Sequence, residues 1–234
     1  MRMSDFHQGE TLVDAGTGLV YRLRQPAPAR PLRCAILVHG LNQNETTLAG
    51  LAPVFDADTQ VIWVRGPLTL GPDQYACFHL RFTPEGPIIN APEAEAARLL
   101  LIRFVAAMQA RYGVAPAATL IAGFSQGGIM SASVGLSAPG AVAGFAILSG
   151  RILPELAPHI APREQLRHLD VLVAHGHADD VLPVTWAERS DRWLTELGVR
   201  HTQRRYDCKH NLAPDMAADF AVWARRVLGS APVA

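Results

Sequence analysis

The sequence predicts an α/β protein in which helices cover both faces of a mostly parallel central sheet. Short apolar segments and longer helical patterns alternate along the 234 residues, an order typical of parallel sheets with crossover helices. Two of the segments, Cys34–Val38 and Gln60–Val64, are almost continuously apolar, as expected of strands buried on both faces. Because 49% of the residues are hydrophobic and 18% are charged, the chain has ample material for a buried core, and we expect residues 1–234 to form a single domain.

The first half of the chain supplies three predicted strands and one long helix. Polar and apolar residues alternate over Gly18–Arg24, which predicts a half-exposed edge strand ahead of the two apolar strands. The stretch 66–91 is rich in proline and glycine and is predicted to be a long irregular loop. A helix is then predicted over Pro92–Tyr112, with Asn90 or Ala91 near its cap. Its expected apolar face comprises Leu99, Ile102, Phe104, Val105 and Met108, and Gly113 ends it.

The second half of the chain alternates between strands and helices. Strands are predicted over 119–122, 141–148, 170–174 and 199–206, and helices over 129–136, 184–197 and 216–228. The glycine at position 198 ends the second of these helices. The segment between Ser149 and Asp170 is too short for an inserted cap domain, so the predicted fold has none.

The composition argues against several classes of function. The formal net charge is 0 and no basic patch is present, so we expect no nucleic acid partner. The three cysteines, Cys34, Cys77 and Cys208, lack metal-type spacing, and we expect reduced thiols and no bound metal.

No apolar run reaches membrane-spanning length, and no apolar signal segment follows the N-terminal residues, which predicts a cytoplasmic protein without a transmembrane segment. The sequence leaves the oligomeric state open between a monomer and a homodimer.

The most informative segment is Gly123–Gly128, with the sequence Gly-Phe-Ser-Gln-Gly-Gly. It lies between a predicted strand and a predicted helix, which is the context of a G-x-S-x-G nucleophile elbow. The turn is sharp, so side chains must be absent on either side of the serine, and Gly123 and Gly127 meet that need. Ser125 is therefore the candidate nucleophile. Ser131, Ser133, Ser137 and Ser149 lack this context and are expected to pack or cap.

Two loops after Ser125 carry the candidate acid and base. A serine hydroxyl needs an adjacent base, whose imidazole must be oriented by a carboxylate. In enzymes built on such an elbow, the acid and then the histidine follow the serine. The strand ending at Ala174 runs into a loop with Asp179 and Asp180, and the last strand runs into a loop with His210. We predict Asp179 as the acid and His210 as the base, with Asp180 as the alternative acid and the nearer candidate for capping the next helix.

Other histidines and one further aspartate are weaker candidates. His39 and His175 each precede a glycine at a strand end, where they are expected to brace turns. Asp207 lies after Asp179 in the chain and only three residues before His210, and it is expected to be a surface charge.

The site also needs donors for the negative charge that develops on the substrate's carbonyl oxygen. One donor is expected to be the backbone N–H of Gln126, at the N-terminus of the helix after the serine. The other is expected from the loop after the strand ending at Val38. In that loop Gly40 allows the backbone to turn toward the site, and Leu41 is the predicted donor.

Together these segments resemble the phospholipase/carboxylesterase family, which includes acyl-protein thioesterases and small bacterial carboxylesterases. The resemblance spans about residues 33 to 228 and is carried by Leu37–Leu41, Gly123–Gly128, His175–Pro183 and His210. The resemblance implies a capless α/β-hydrolase fold. It also implies an enzyme that cleaves small-molecule substrates, namely carboxylic esters, thioesters or lysophospholipids, without a cofactor. Carried over by position, it implies Ser125 as nucleophile, Asp179 as acid and His210 as base, with an oxyanion hole formed by the backbone N–H groups of Leu41 and Gln126.

The chain departs from the family pattern at two places. Asn42-Gln43 follows Leu41 where the family usually has Gly-Asp, and asparagine tolerates the left-handed conformation that such a turn needs. Cys77 stands where members often carry a tryptophan, in the string Tyr75-Ala76-Cys77-Phe78. This implies a reshaped acyl pocket, so a thioester substrate does not carry over from the resemblance.

The stretch 66–91 supplies a hypothesis about substrate binding. Long loops in compact domains are often functional, and this one carries Phe78 and Phe82. We expect them to wall an apolar acyl groove beside the serine, with Leu41, Leu182 and Leu212 opposite. The alternative, left open, is that these side chains only anchor the loop to the core.

Two functions other than hydrolysis also stay open. The same triad can transfer an acyl group to an acceptor other than water. The fold can also serve as a non-catalytic binding module, although such modules usually have a damaged triad.

Overall fold

The computed structural model describes residues 6–83 and 86–229, apart from the side chain of Phe82, so the prediction made on residues 1–5 lies outside the described residues. The strands are β1 (His7–Gln8), β2 (Leu12–Val13), β3 (Val20–Gln25), β4 (Arg33–Val38), β5 (Thr59–Val64), β6 (Leu68–Gly71), β7 (Gln74–Ala76), β8 (Leu80–Thr83), β9 (Gly86–Ile89), β10 (Thr119–Phe124), β11 (Gly144–Leu148), β12 (Asp170–Gly176) and β13 (Arg200–Tyr206). The helices are α1 (Ala91–Tyr112), α2 (Gln126–Ser137), α3 (Arg163–Leu166), α4 (Thr185–Leu197) and α5 (Pro214–Leu228), with short 3-10 turns at Ala49–Val54, Pro116–Ala118, Pro139–Ala141 and Pro154–His159.

The central sheet is mostly parallel, as predicted. Its strand order is β1-β3-β5-β4-β10-β11-β12-β13, with β2 also paired to β3. Strands β5, β4, β10, β11, β12 and β13 are parallel to their neighbours, whereas β3 runs antiparallel to β5 at one edge. Gly123 at the end of β10 pairs with Val38 of β4 and Ile147 of β11, so the loops that follow these three strands leave the same edge of the sheet.

Helices cover both faces of this sheet, which explains why its strands are apolar throughout. On one face α1, α2 and α4 pack against alternate side chains of the strands, such as Ile36, Ile121 and Phe145. On the other face α5 and the turn at Ala49–Val54 pack against the intervening side chains, such as Leu37 and Ala122. In the described part of the chain, no helix combines the length and the apolar composition needed to cross a bilayer.

Helix α1 begins and ends where the sequence indicates, but its apolar face differs from the predicted one and includes the buried Leu101. The Asn90 side chain accepts a hydrogen bond from the Glu93 amide at 3.3 Å, and Gly113 closes the helix with φ +66°. Leu99, expected on the apolar face, is 47% exposed. Arg98 lies against the core instead, because it pairs with Glu95 one turn earlier.

The stretch 66–91 is two hairpins rather than the irregular loop we expected. Strands β6 and β7 pair antiparallel, and so do β8 and β9. Pairing gives partners to backbone groups that an irregular segment would leave unsatisfied. Asp73, with φ +53°, lies in the first turn. The strand signal was hidden because each strand has only three or four residues between prolines and glycines.

Candidate active site

Ser125 lies in a sharp turn between β10 and α2, with φ +53° and ψ −117°. This left-handed conformation is strained for a residue with a side chain. The helix passes so close to the sheet that a Cβ atom on Gly127 would overlap the Val38 carbonyl, and one on Gly123 would overlap the Gly127 backbone. The two glycines therefore let α2 start directly against β4 and β10, and the turn presents the Ser125 hydroxyl to a cleft.

A continuous hydrogen-bonded chain links Ser125, His210 and Asp179. The Ser125 Oγ lies 2.9 Å from His210 Nε2, and the Asp179 Oδ2 lies 2.7 Å from His210 Nδ1. An ionised carboxylate only accepts, so Nδ1 carries the proton and Nε2 is left to accept from the serine hydroxyl. The Phe124 ring packs 4.9 Å, centroid to centroid, from the imidazole. The structure thus brings together the three residues predicted as nucleophile, base and acid.

The Asp179 carboxylate is buried and fully hydrogen-bonded. Its Oδ1 accepts from the amides of Val181 at 3.0 Å and Leu182 at 2.8 Å. Its Oδ2 lies 3.2 Å from Nε2 of His175, in addition to the contact with His210. Burial alone would raise the pKa of Asp179, but the hydrogen bonds from His175, His210 and the Leu182 amide hold it well below its ordinary value. The carboxylate is therefore ionised at every pH at which a histidine titrates.

His175 has a role that sequence reasoning captured only in part. The side chain is fully buried at the end of β12, and its Nε2 donates to the Leu182 carbonyl at 2.7 Å. It braces the loop as expected, and it also faces the carboxylate of Asp179. The sequence analysis did not predict this contact, although the position of a histidine four residues before the candidate acid, at the same strand end, is a signal that could have revealed it.

Neither of the other two aspartates considered, Asp180 and Asp207, lines the cleft. Asp180 is exposed and binds Lys209 Nζ at 2.9 Å rather than capping α4. Asp207 is exposed, as expected of a surface charge. His39 accepts from the Gly66 amide at 2.9 Å and so braces the loop after β5.

Two backbone N–H groups are available beside the serine. Leu41 and Gln126 both line the cleft that holds Ser125, and their amides donate to no other group among residues 6–83 and 86–229. The Gly40 amide, by contrast, donates to the Gln43 side chain at 2.9 Å. Asn42 adopts φ +59°, the left-handed conformation that asparagine tolerates in place of the usual glycine.

The Gln126 side chain also holds the hairpins against the turn, which the sequence did not reveal. Its Oε1 accepts from the Cys77 amide at 2.7 Å, and its Nε2 donates to the Phe78 carbonyl at 2.8 Å. Both bonds are buried, so this glutamine satisfies backbone groups that the hairpin connection leaves unpaired.

The cleft wall differs from the predicted acyl groove. Leu41 and Leu182 line the cleft as predicted, but Phe78 is fully buried in the core beneath it and Leu212 packs against the opposite face of the sheet. The side chain of Phe82 lies outside the described residues. The hairpin contributes other apolar side chains to the wall, namely Leu80, Pro87 and Ile89. Phe78 points inward because the Gln126 side chain fixes its backbone. In the described part of the chain, no three His, Cys, Asp or Glu side chains come together as metal ligands would.

Two solved structures of esterases share the fold of this chain. The crystal structure of esterase PE8 superposes with a TM-score of 0.77 and 26% identity, over 94% of this chain and 98% of that one. A carboxylesterase from Mesorhizobium loti superposes with a TM-score of 0.78 and 23% identity, over 92% and 98% of the two chains. Both carry the α/β-hydrolase fold that the resemblance predicted.

Two curated relatives match in sequence over a shorter region. Acyl-protein thioesterase 1 of Gibberella zeae is 28% identical over 119 residues, which is 50% of this chain and 51% of that protein. The protein of the same name from Mycosarcoma maydis is 34% identical over 117 residues, or 47% and 48% of the two chains. The matches thus span about half the length of these relatives. The family model for phospholipase/carboxylesterase matches residues 88–224, a segment that contains Ser125, Asp179 and His210 and more than half of the chain. The chain therefore belongs to the phospholipase/carboxylesterase family.

Proposed function

We propose that the chain is a serine hydrolase that cleaves carboxylic esters through an acyl-enzyme on Ser125. The observation that carries the proposal is the hydrogen-bonded chain from Ser125 Oγ through His210 to Asp179, at 2.9 and 2.7 Å. Its setting supports the same conclusion, since the serine faces a largely apolar cleft that also holds two uncommitted amides. Family membership makes ester hydrolysis the expected chemistry.

The acylation step follows from the positions of these groups. His210 Nε2 removes the Ser125 proton as Oγ attacks the ester carbonyl. The amides of Leu41 and Gln126 then stabilise the oxyanion, with the dipole of α2 adding to the second. Asp179 holds the imidazole in the required tautomer and stabilises its charged form. His210 finally gives its proton to the leaving group.

Deacylation uses the same residues in the reverse sense. A water molecule enters where the leaving group was, and His210 removes its proton as it attacks the acyl-enzyme carbonyl. The oxyanion again lies against the Leu41 and Gln126 amides, and Ser125 recovers its proton when the acid product leaves. An alcohol or amine in place of water would make the enzyme an acyltransferase, and product analysis with added acceptors distinguishes the two.

The test is labelling with a fluorophosphonate followed by mass mapping, alongside turnover of a para-nitrophenyl ester. We expect one adduct on Ser125, and we expect Ser125→Ala to lose about three or more orders of magnitude in kcat/KM. We also expect the fluorophosphonate to form no adduct with His210→Ala. Ser131→Ala is the matched control, because this serine lies one turn along α2 and bonds back to the Gly127 carbonyl. Ester turnover within tenfold of wild type in Ser125→Ala would refute the proposal.

A further inference from the structure

Arg151 is a buried cation in the wall of the catalytic cleft. It follows Ser149 and Gly150 after β11, and a Cβ atom on Gly150 would lie 2.8 Å from the Ser125 carbonyl oxygen. The chain therefore passes directly against the serine turn just before Arg151. The Arg151 side chain is only 5% exposed and lines the same cleft as Ser125 and His210.

Arg151 differs from the other buried arginines in having no polar partner. Arg24 donates to four backbone carbonyls, and Arg98 pairs with Glu95. In the described part of the chain, the Arg151 guanidinium makes no hydrogen bond and no ion pair, and its Nε is fully enclosed without an acceptor. Arginine does not lose its proton in proteins, so a positive charge stands in the cleft without a polar partner among the described residues.

Among residues 6–83 and 86–229, the cleft offers this charge no counter-ion of its own. Its other described lining residues are apolar or neutral apart from His210, and they include no aspartate or glutamate. Glu155 acts on the arginine only from a distance and is itself exposed. Burial lowers the pKa of Arg151, because the charged form is costly to desolvate.

The guanidinium is held in place by stacking. It lies 4.0 Å from the centroid of the Trp186 ring, and Arg189 stacks on the same ring at 4.5 Å. The Ser190 hydroxyl accepts from the Ile152 amide and donates to the Trp186 carbonyl, so the segment carrying Arg151 is tied to α4. Stacking offsets part of the desolvation cost but leaves the N–H donors without acceptors. A fixed, desolvated arginine with free donors is suited to a planar carboxylate.

We infer that Arg151 is a specificity residue that selects esters carrying a carboxylate, held by the guanidinium while the ester carbonyl lies at Ser125. The apolar wall from Leu80, Ile89 and Leu182 would contact the hydrocarbon between the two groups. This inference rests on the proposed function and adds a substrate class to it: monoesters of dicarboxylic acids, or esters of carboxylate-bearing alcohols.

Two pairs of isosteric esters test the inference on the wild-type enzyme. The first pair is para-nitrophenyl hydrogen adipate and the ester in which an isopropyl group replaces the free carboxylate. The second pair is para-carboxyphenyl hexanoate and para-isopropylphenyl hexanoate, which place the charge on the leaving group. We expect at least one anionic ester to have a kcat/KM about tenfold or more above its neutral partner. The pair that shows the preference tells which end of the substrate meets Arg151.

Variants then assign the preference to this side chain. Arg151→Met should raise KM for the preferred anionic ester and abolish the preference, with kcat largely kept, because the contact is remote from the reacting carbonyl. Its kcat/KM for the neutral ester should stay within about threefold. Arg151→Lys should keep part of the preference that Arg151→Met abolishes. Lysine retains the positive charge but lacks the planar, forked arrangement of N–H donors of the guanidinium group. Arg189→Met is the matched control, because that arginine stacks on the same ring but does not line the cleft, and it should keep the preference.

The outcomes separate this inference from the proposed function. If the wild type hydrolyses the esters of both pairs through Ser125 without preferring the anionic member of either pair, the role of Arg151 is overturned and the proposed hydrolase function still stands. An equal loss on neutral and anionic esters in Arg151→Met also overturns it, because a merely structural role would act that way. No Ser125-dependent turnover of any of the four esters refutes both. Even if a variant does not fold, the absence of an anionic preference in the wild type overturns the inference.

Discussion

Asp179 uses each of its two carboxylate oxygens differently. One oxygen accepts hydrogen bonds from two backbone amides, which fix the side chain to its own loop. The other faces two histidines, His210 at 2.7 Å and His175 at 3.2 Å. Both oxygens of Asp179 must therefore accept hydrogen bonds, which only an ionised carboxylate can do.

We expect Asp179→Asn to lower kcat by about four orders of magnitude while the protein stays folded. The amide oxygen must face the two backbone donors, which leaves the NH₂ group toward His210. His210 Nδ1 then has to accept, its proton moves to Nε2, and the base can no longer take the serine proton. Turnover of an activated ester, with thermal unfolding as the check on folding, measures this.

The control for this prediction is Asp180→Asn, which changes the neighbouring carboxylate. Asp180 is exposed and binds the Lys209 ammonium on the protein surface, so its loss should leave kcat within about threefold. The assignment of the acid would have to change if Asp180→Asn lost activity and Asp179→Asn kept it.

At the scale of elements, the site depends on how closely α2 approaches the sheet. The helix starts immediately after β10, and its first turn lies against the Val38 carbonyl at the end of β4. That contact brings Gln126 to the cleft that Leu41, on the loop that leaves β4, also lines. The two proposed oxyanion donors thus come from elements that meet only because Gly127 has no side chain.

We expect Gly127→Ala to destabilise the fold by about 3 kcal/mol or more, because the new methyl group would meet backbone rather than a flexible side chain. Urea unfolding measures the loss in the free energy of unfolding. Gly140→Ala is the control, since a Cβ atom there has nothing within 4 Å, and we expect it to be neutral or slightly stabilising. Equal stability of the two variants would mean that α2 does not need this close approach.

At the scale of the whole molecule, one buried carboxylate connects the antiparallel edge of the sheet to the catalytic loop. Glu45 is 2% exposed and follows the loop that carries Leu41. It binds Arg65 after β5 at 2.7 Å and Arg22 of β3 at 3.1 Å, and its backbone carbonyl accepts from Gln8. Burial opposes its ionisation, but the two arginines outweigh that and lower the pKa of Glu45 from 4.5 to about 2.

We expect Glu45→Gln to lower the free energy of unfolding at neutral pH by about 3 kcal/mol, because two arginines lose their shared anion. The folded-state pKa lies below the unfolded one, so this stabilisation is present above about pH 4.5 and is lost as the pH falls toward about 2. The difference between wild type and variant should therefore shrink over that interval. Urea unfolding at a series of pH values measures it.

The matched control is Glu188→Gln, which breaks a half-exposed pair with Arg205. Exposed pairs contribute less than about 1 kcal/mol, so its effect should be small at every pH. If Glu45→Gln lowered the free energy of unfolding by the same amount at every pH, the side chain of Glu45 would stabilise the fold by packing and not by its charge.

The sequence by itself determined the parallel sheet, the order of its elements and the three residues of the candidate triad. These features are local, since continuous apolar strands and the glycines around Ser125 are visible in short windows. The two hairpins of 66–91 were not visible because their strands have only three or four residues each. The inward orientation of Phe78 was not visible because Gln126, about 50 residues away, binds that segment.

Tertiary structure alone decided what surrounds the triad. Arg151 gave no signal as a binding residue, because its burial, its unpaired donors and its stacking partner all come from other elements. Glu45 is likewise one acidic residue among many until β3 and β5 bring two arginines to it. Periodicity and turn chemistry act between near neighbours in the chain, whereas the charge balance of a cleft is set by residues that only folding brings together.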